Sequence, residues 1–141
     1  MGMDVVYNKL QIMERCIKRI HEEYEGNPEN LMNYTKQDSI ILNIQRTCEA
    51  AIDLAMHLVS EYRMGIPQNS REAFLLLHKA GAFEEALMKR MQGMVGFRNI
   101  AVHDYQSVNL EIVQAVIEMH LKDVQEYARK VVEFSQSDSL E

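Results

Sequence analysis

Asp38–Tyr62 reads DSIILNIQRTCEAAIDLAMHLVSEY. Ile40, Ile41, Ile44, Cys48, Ala51, Ile52, Ala55, Leu58 and Val59 recur in it at steps that trace a helical face. The face is too wide for a helix lying on a surface, so this one is expected to be buried on more than one side. Gly65-Ile66-Pro67 ends it.

Working outward, Val6, Leu10, Met13, Ile17, Ile20 and Tyr24 alternate steps of four and three, which predicts a helix over about 4–24. Gly26-Asn27-Pro28 stops that helix, and residues 28–37 read as a polar connection with at most a short helical turn. On the other side, Asn69 and Glu72 have capping-box spacing and open a short helix over about 70–80, with Gly81 as its C-cap. A fourth helix is expected over 84–103. It holds Gly93 and Gly96, each costing about 1 kcal/mol relative to alanine, which suggests close approach to a neighbouring helix or subunit. A fifth runs from about Asn109 to Phe134, with Ile112, Val113, Val116, Met119, Val124, Tyr127, Val131 and Phe134 inward. No segment shows the alternation of a strand. The fold class is therefore all-α, an antiparallel bundle of four long helices and one short one. It forms a single domain over 1–134, followed by a disordered tail over 135–141.

The chain has 141 residues, 47% of them apolar, enough for one real core. No apolar run reaches the roughly 18 residues of a membrane span. Asp4, Asn8, Lys9 and Gln11 interrupt any signal-peptide pattern. Cys16 and Cys48 lack paired-ligand spacing and read as reduced thiols. The expected location is cytoplasmic. Net charge is −6, which argues against a broad basic face for nucleic acid and confines any RNA contact to a small basic site.

One stretch combines groups suited to acid–base work on a phosphate: Arg98-Asn99-Ile100-Ala101-Val102-His103-Asp104-Tyr105. Arg98 offers a planar, permanently charged fork that matches phosphate oxygens. His103 can take or give a proton near neutral pH. Asn99 can orient either. RNA carries its own nucleophile, the 2′-hydroxyl, so arginine and histidine could cleave it with no metal or other cofactor. On a continuous helix Arg98 and His103 would sit about 140° apart. They need the helix to end near His103, or two copies of the motif to meet across a two-fold axis, and a homodimer is expected. An Arg–His pair at this separation arises by chance about 0.3 times in such a composition, but adding Tyr105 lowers that to about 0.01.

The Arg98, His103, Tyr105 pattern resembles the Arg-x-x-x-x-His-x-Tyr signature of HepT-like toxins in the HEPN superfamily. Asn43–Asp53 and Met94–Tyr105 are also similar to that family's second helix and signature block. The resemblance spans about 5–130. It implies a HEPN-like homodimer within a larger hetero-oligomer, and a metal-independent endoribonuclease with Arg98 and His103 catalytic and Asn99 in support. It also implies the toxin role in a type II/VII-like toxin–antitoxin system. The partner would be a cognate minimal nucleotidyltransferase antitoxin that adenylylates the motif tyrosine, Tyr105. A bulky anionic nucleotide beside Arg98 would fill and neutralise the phosphate site.

Each sharp reading has a plainer rival. Arg98 could be a surface ion-pair residue, His103 a cation at a helix end, and Tyr105 a packing residue. Glu49, Asp53 and His57 share a helix face, either as carboxylates behind Arg98 or His103 or as pairing at a bundle seam, and the seam is favoured. Met88, Met91 and Met94 are core filling, or else contribute to a dimer. The whole chain could also be a non-catalytic partner or nucleotide-binding module for a nucleotidyltransferase, and its negative charge favours that rival.

Overall fold

The computed structural model describes residues 3–139. Helix α1 spans Met3–Tyr24, α2 Tyr34–Glu61, α3 Ser70–Lys79, α4 Glu85–His103, α5 Leu110–Ala115 and α6 Leu121–Ser139. A π-helical turn, Val116–His120, joins α5 to α6, so the two act as one long C-terminal helix. The four long helices and one short helix match the expected bundle, and among the described residues there is no strand.

Helix α2 is the hub. It packs along α1 and also touches α3 and α4. Ile40, Ile41, Ile44, Leu54, Ala55 and Leu58 are all but sealed from solvent. Burying each large aliphatic side chain contributes about 1.5–3 kcal/mol relative to exposure. The helix begins about one turn before Asp38, the expected start. Asn33 caps it, its side-chain oxygen accepting the Lys36 N–H at 3.1 Å. The first turn is polar, so no apolar stripe announced it. Before it, Pro28–Met32 forms a 3-10 turn within the expected connection. Asn69 caps α3 as expected, accepting the Glu72 N–H at 2.9 Å. Gly81, at φ +91°, takes the left-handed position just past α3 that glycine adopts without strain.

The C-terminal helix corrects two expectations. Ile112 and Met119 are about half exposed, while Ile117 and Leu121 join Val113 and Val116 in the core. The π turn fits one extra residue into the helix, which shifts the inward stripe around its axis. Beyond it Val124, Tyr127 and Val131 are buried as expected. Tyr127 donates to the Ala51 carbonyl at 2.8 Å and meets Phe74 and Phe83 edge-on, tying α6 to α2 and α3. The expectation of a disordered tail from residue 135 also fails. Helix α6 continues to Ser139 and Ser135 is buried, because the stripe of 124, 127 and 131 extends to 135 at helical spacing. Residues 140 and 141 of that tail lie outside the described residues.

Met88, Met91 and Met94 fill the core and leave no side chain for a dimer. Cys16 and Cys48 are free and buried. Gly96 faces the Arg71 guanidinium, with Nη2 3.0 Å from where a Cβ would stand, so it admits a side chain rather than a helix backbone. Gly93 is exposed and a Cβ there would meet nothing within 4 Å. Gly93→Ala is therefore expected to stabilise the isolated chain by about 1 kcal/mol. In thermal melts this should appear as a Tm rise of about 4 °C. A lowered Tm would mean that another molecule needs that space.

Among the described residues no helix is long and apolar enough to cross a membrane.

Candidate active site

Helix α4 supplies most of the motif and α2 and α3 complete it. Arg98 lies one turn and a half before the end of α4, half-buried beside α3. Its Nε donates to Asn99 Oδ1 at 2.9 Å and its Nη2 to Ser70 Oγ at 3.4 Å. Asn99 thus supports Arg98 as expected. Ser70, the first residue of α3, was not anticipated, because it is 28 residues away in sequence. Two of the five guanidinium N–H groups are engaged this way, which holds the fork in one orientation while leaving donors for an anion.

His103 is the last residue of α4 and is exposed. The backbone leaves helical geometry at Asp104, with φ −151° and ψ 62°, so the helix does end at His103 as the 140° divergence demanded. Among the described residues, however, no hydrogen bond joins His103 to Arg98 or to Tyr105. Ile100 and Val102 stand exposed beside His103.

After Asp104 the chain turns tightly. The Ser107 N–H donates to the Asp104 carbonyl at 2.9 Å and the Ser107 hydroxyl to Asp104 Oδ2 at 2.6 Å. This turn carries Tyr105 back to α2, where its hydroxyl donates to Asp38 Oδ1 in a short hydrogen bond. The ring remains 42% exposed. Partial burial first, then the Asp38 hydrogen bond and charge, push the Tyr105 pKa up to about 12. The phenol is therefore neutral at physiological pH. Asp38 is the second residue that the sequence did not reveal, since only the fold brings positions 67 residues apart together.

Glu49 and Asp53 do not stand behind the motif. Gln45 donates to Glu49 at 3.4 Å, and Lys9 of α1 pairs with Asp53 at 3.4 Å. Both line a groove between α1 and α2. Cys48, between them in sequence but on another side of α2, is the residue that feels the Arg98 charge. The seam reading holds, with α1 as partner.

The geometry offers an anchored phosphate-binding fork, an exposed imidazole at a helix end and an accessible tyrosine within one short segment. The family model for HepT-like ribonucleases matches residues 13–131. The chain belongs to the HepT-like ribonuclease family. Its sequence is 45% identical to the mRNA nuclease HepT of Shewanella oneidensis, over 88% of this chain and 93% of that protein. Two solved structures align closely with the HepT-like fold described above. One is a toxin–antitoxin with AMP-PNP, at TM-score 0.87 and 43% identity, covering 92% of this chain and 98% of that one. The other is the tri-AMPylated HEPN toxin of Shewanella oneidensis in complex with its MNT antitoxin, at TM-score 0.86 and 44% identity, with the same coverage.

Proposed function

We propose that this chain is the toxin of a toxin–antitoxin pair, a metal-independent endoribonuclease neutralised by a cognate nucleotidyltransferase that adenylylates Tyr105. The observation that carries it is the fixed Arg98 fork beside an exposed His103 at the end of α4. In this reading the ribose 2′-hydroxyl attacks the adjacent phosphorus and the 5′ oxygen leaves. Arg98 holds the phosphate oxygens as negative charge builds on them. His103 takes the 2′-hydroxyl proton or gives one to the leaving oxygen. Asn99 and Ser70 keep the guanidinium aimed.

The chain works as a single HEPN-like domain in the cytoplasm. It pairs as a homodimer within a larger complex with the antitoxin, and exposed Ile100 and Val102 suit a contact at the end of α4. A two-fold axis there brings a second His103, so one imidazole serves as base and the other as acid.

Expression in cells tests this reading. Inducing the wild type should arrest growth and create new RNA ends, whereas His103→Ala should do neither. The purified wild type should cleave RNA in EDTA. Growth arrest by His103→Ala would sink the proposal, and an inert wild type would favour the binding-module alternative.

A further inference from the structure

Tyr105 and Asp38 come from opposite halves of the chain, yet the phenol O–H points straight at a carboxylate oxygen. Asp38 sits in the second turn of α2, exposed at the surface, and no salt bridge involving it exists among the described residues. A carboxylate with no cation to balance it and a hydroxyl in hand is arranged to receive that proton. We propose that Asp38 is the general base for nucleotide transfer to Tyr105, a role that rests on the reading of Tyr105 as the acceptor.

The step balances as follows. The Tyr105 oxygen forms a bond to the α-phosphorus of a nucleoside triphosphate, and the bond to the β-phosphate oxygen breaks. Pyrophosphate leaves with that electron pair. The phenolic proton passes to Asp38, which later loses it to water. Before reaction the neighbouring negative charge keeps the phenol protonated. As the oxygen–phosphorus bond grows, the phenol becomes far more acidic and the same carboxylate is already in place to accept the proton. Asp38 therefore suppresses a free tyrosinate while removing the proton in the transition state.

Asp38→Asn keeps the shape and an acceptor oxygen but removes the basicity. In the assembled complex with its nucleotidyltransferase, ATP and magnesium, intact-mass time courses should show transfer slowed about 10²- to 10⁴-fold at neutral pH. The deficit should shrink about tenfold per pH unit as hydroxide takes over. Transfer by Asp38→Asn at the wild-type rate would overturn the proposal. So would a deficit equal at every pH, which is the mark of a positioning role. Continued mass gain by Tyr105→Phe identifies the separate case in which Tyr105 is not the acceptor.

A different surface carries its own inference. Lys9, Arg15, Arg19 and Arg46 line the groove between α1 and α2, a cavity of about 310 Å³, with Glu49 and Asp53 as its two carboxylates. Four cations against two carboxylates leave a local positive excess on a chain of net charge −6. Among the described residues Arg15 and Arg46 have no carboxylate partner, and both are exposed. The groove lies across α2 from Arg98, about one helix diameter of 10–12 Å away, a span that a few nucleotides cover. We infer that it holds the phosphate chain of RNA flanking the cut position.

Binding of a labelled poly(U) oligonucleotide to the non-cleaving His103→Ala protein tests this. Adding Arg15→Ala and Arg46→Ala should flatten the slope of log affinity against log salt by about 1.4. Cleavage of a dinucleotide by the same pair of substitutions in the active protein should be unchanged. An unaltered slope would overturn the inference, as would loss of antitoxin binding in place of RNA binding, which would mark the groove as a docking face for an acidic protein.

Discussion

His103→Ala is expected to lower the rate of RNA cleavage by about 10²- to 10⁴-fold, the usual contribution of a positioned acid or base. Arg98→Ala should lower it comparably, because the charge that builds on phosphorus then has no counterpart. Arg98→Lys is the more discriminating change. It keeps the charge but loses the fork that Asn99 and Ser70 hold in place, so most of the activity should still be lost. Since both groups act on one phosphate, the double variant should be little worse than either single one. His103 is exposed and ends its helix, so its removal should leave the melting temperature nearly unchanged. Single-turnover cleavage of a defined RNA, with thermal melts of each variant alongside, measures all of this. Cleavage within a few-fold of wild type in both alanine variants would move the chemistry elsewhere.

Tyr105→Phe is expected to abolish nucleotide uptake. Intact mass after incubation with the nucleotidyltransferase and ATP should rise by whole adenylyl units in the wild type and not at all in the variant. The ring of Tyr105 packs only in part, with 42% of its surface open, so the loss of one hydroxyl should not disturb the fold. The consequence in cells should be equally sharp. Co-expressed antitoxin should relieve arrest by the wild type but not by Tyr105→Phe, because nothing anionic then occupies the ground beside Arg98. Relief of both would mean that simple complex formation, rather than modification, silences the enzyme.

Most of the bundle could be read from local pattern. The face of Ile40, Ile44, Ala51, Ile52, Ala55 and Leu58 repeats at the period of a helix, and the structure buries it between α1, α3 and α4. Asn69 and Glu72 fixed the start of α3 because capping is chemistry between near neighbours. Asn33 offered the same kind of signal, but the polar turn after it hid the extra length of α2. The site divides along the same line. Arg98, Asn99, His103 and Tyr105 are legible because they are contiguous. Ser70 and Asp38 are not, since each reaches the motif only through tertiary packing. The placement of Glu49 and Asp53 went astray for a related reason. Helical spacing says that they share a face with each other, but not which neighbour that face will meet, and the neighbour is α1.

The sequence did carry one signal of the π turn. The expected inward stripe ran from Met119 to Val124, a step of five that no regular α-helix makes. The turn at Val116–His120 absorbs that step, and Tyr24 of α1 donates from its hydroxyl to Glu118 within it. Shortening the chain by one residue between 116 and 120 would restore a regular helix and rotate all that follows by about 100°. Tyr127 would then swing away from Ala51, and Val131 and Ser135 would turn toward water. In this segment, then, substitutions should be survivable where deletions are not: its evolution is constrained in length more than in residue identity.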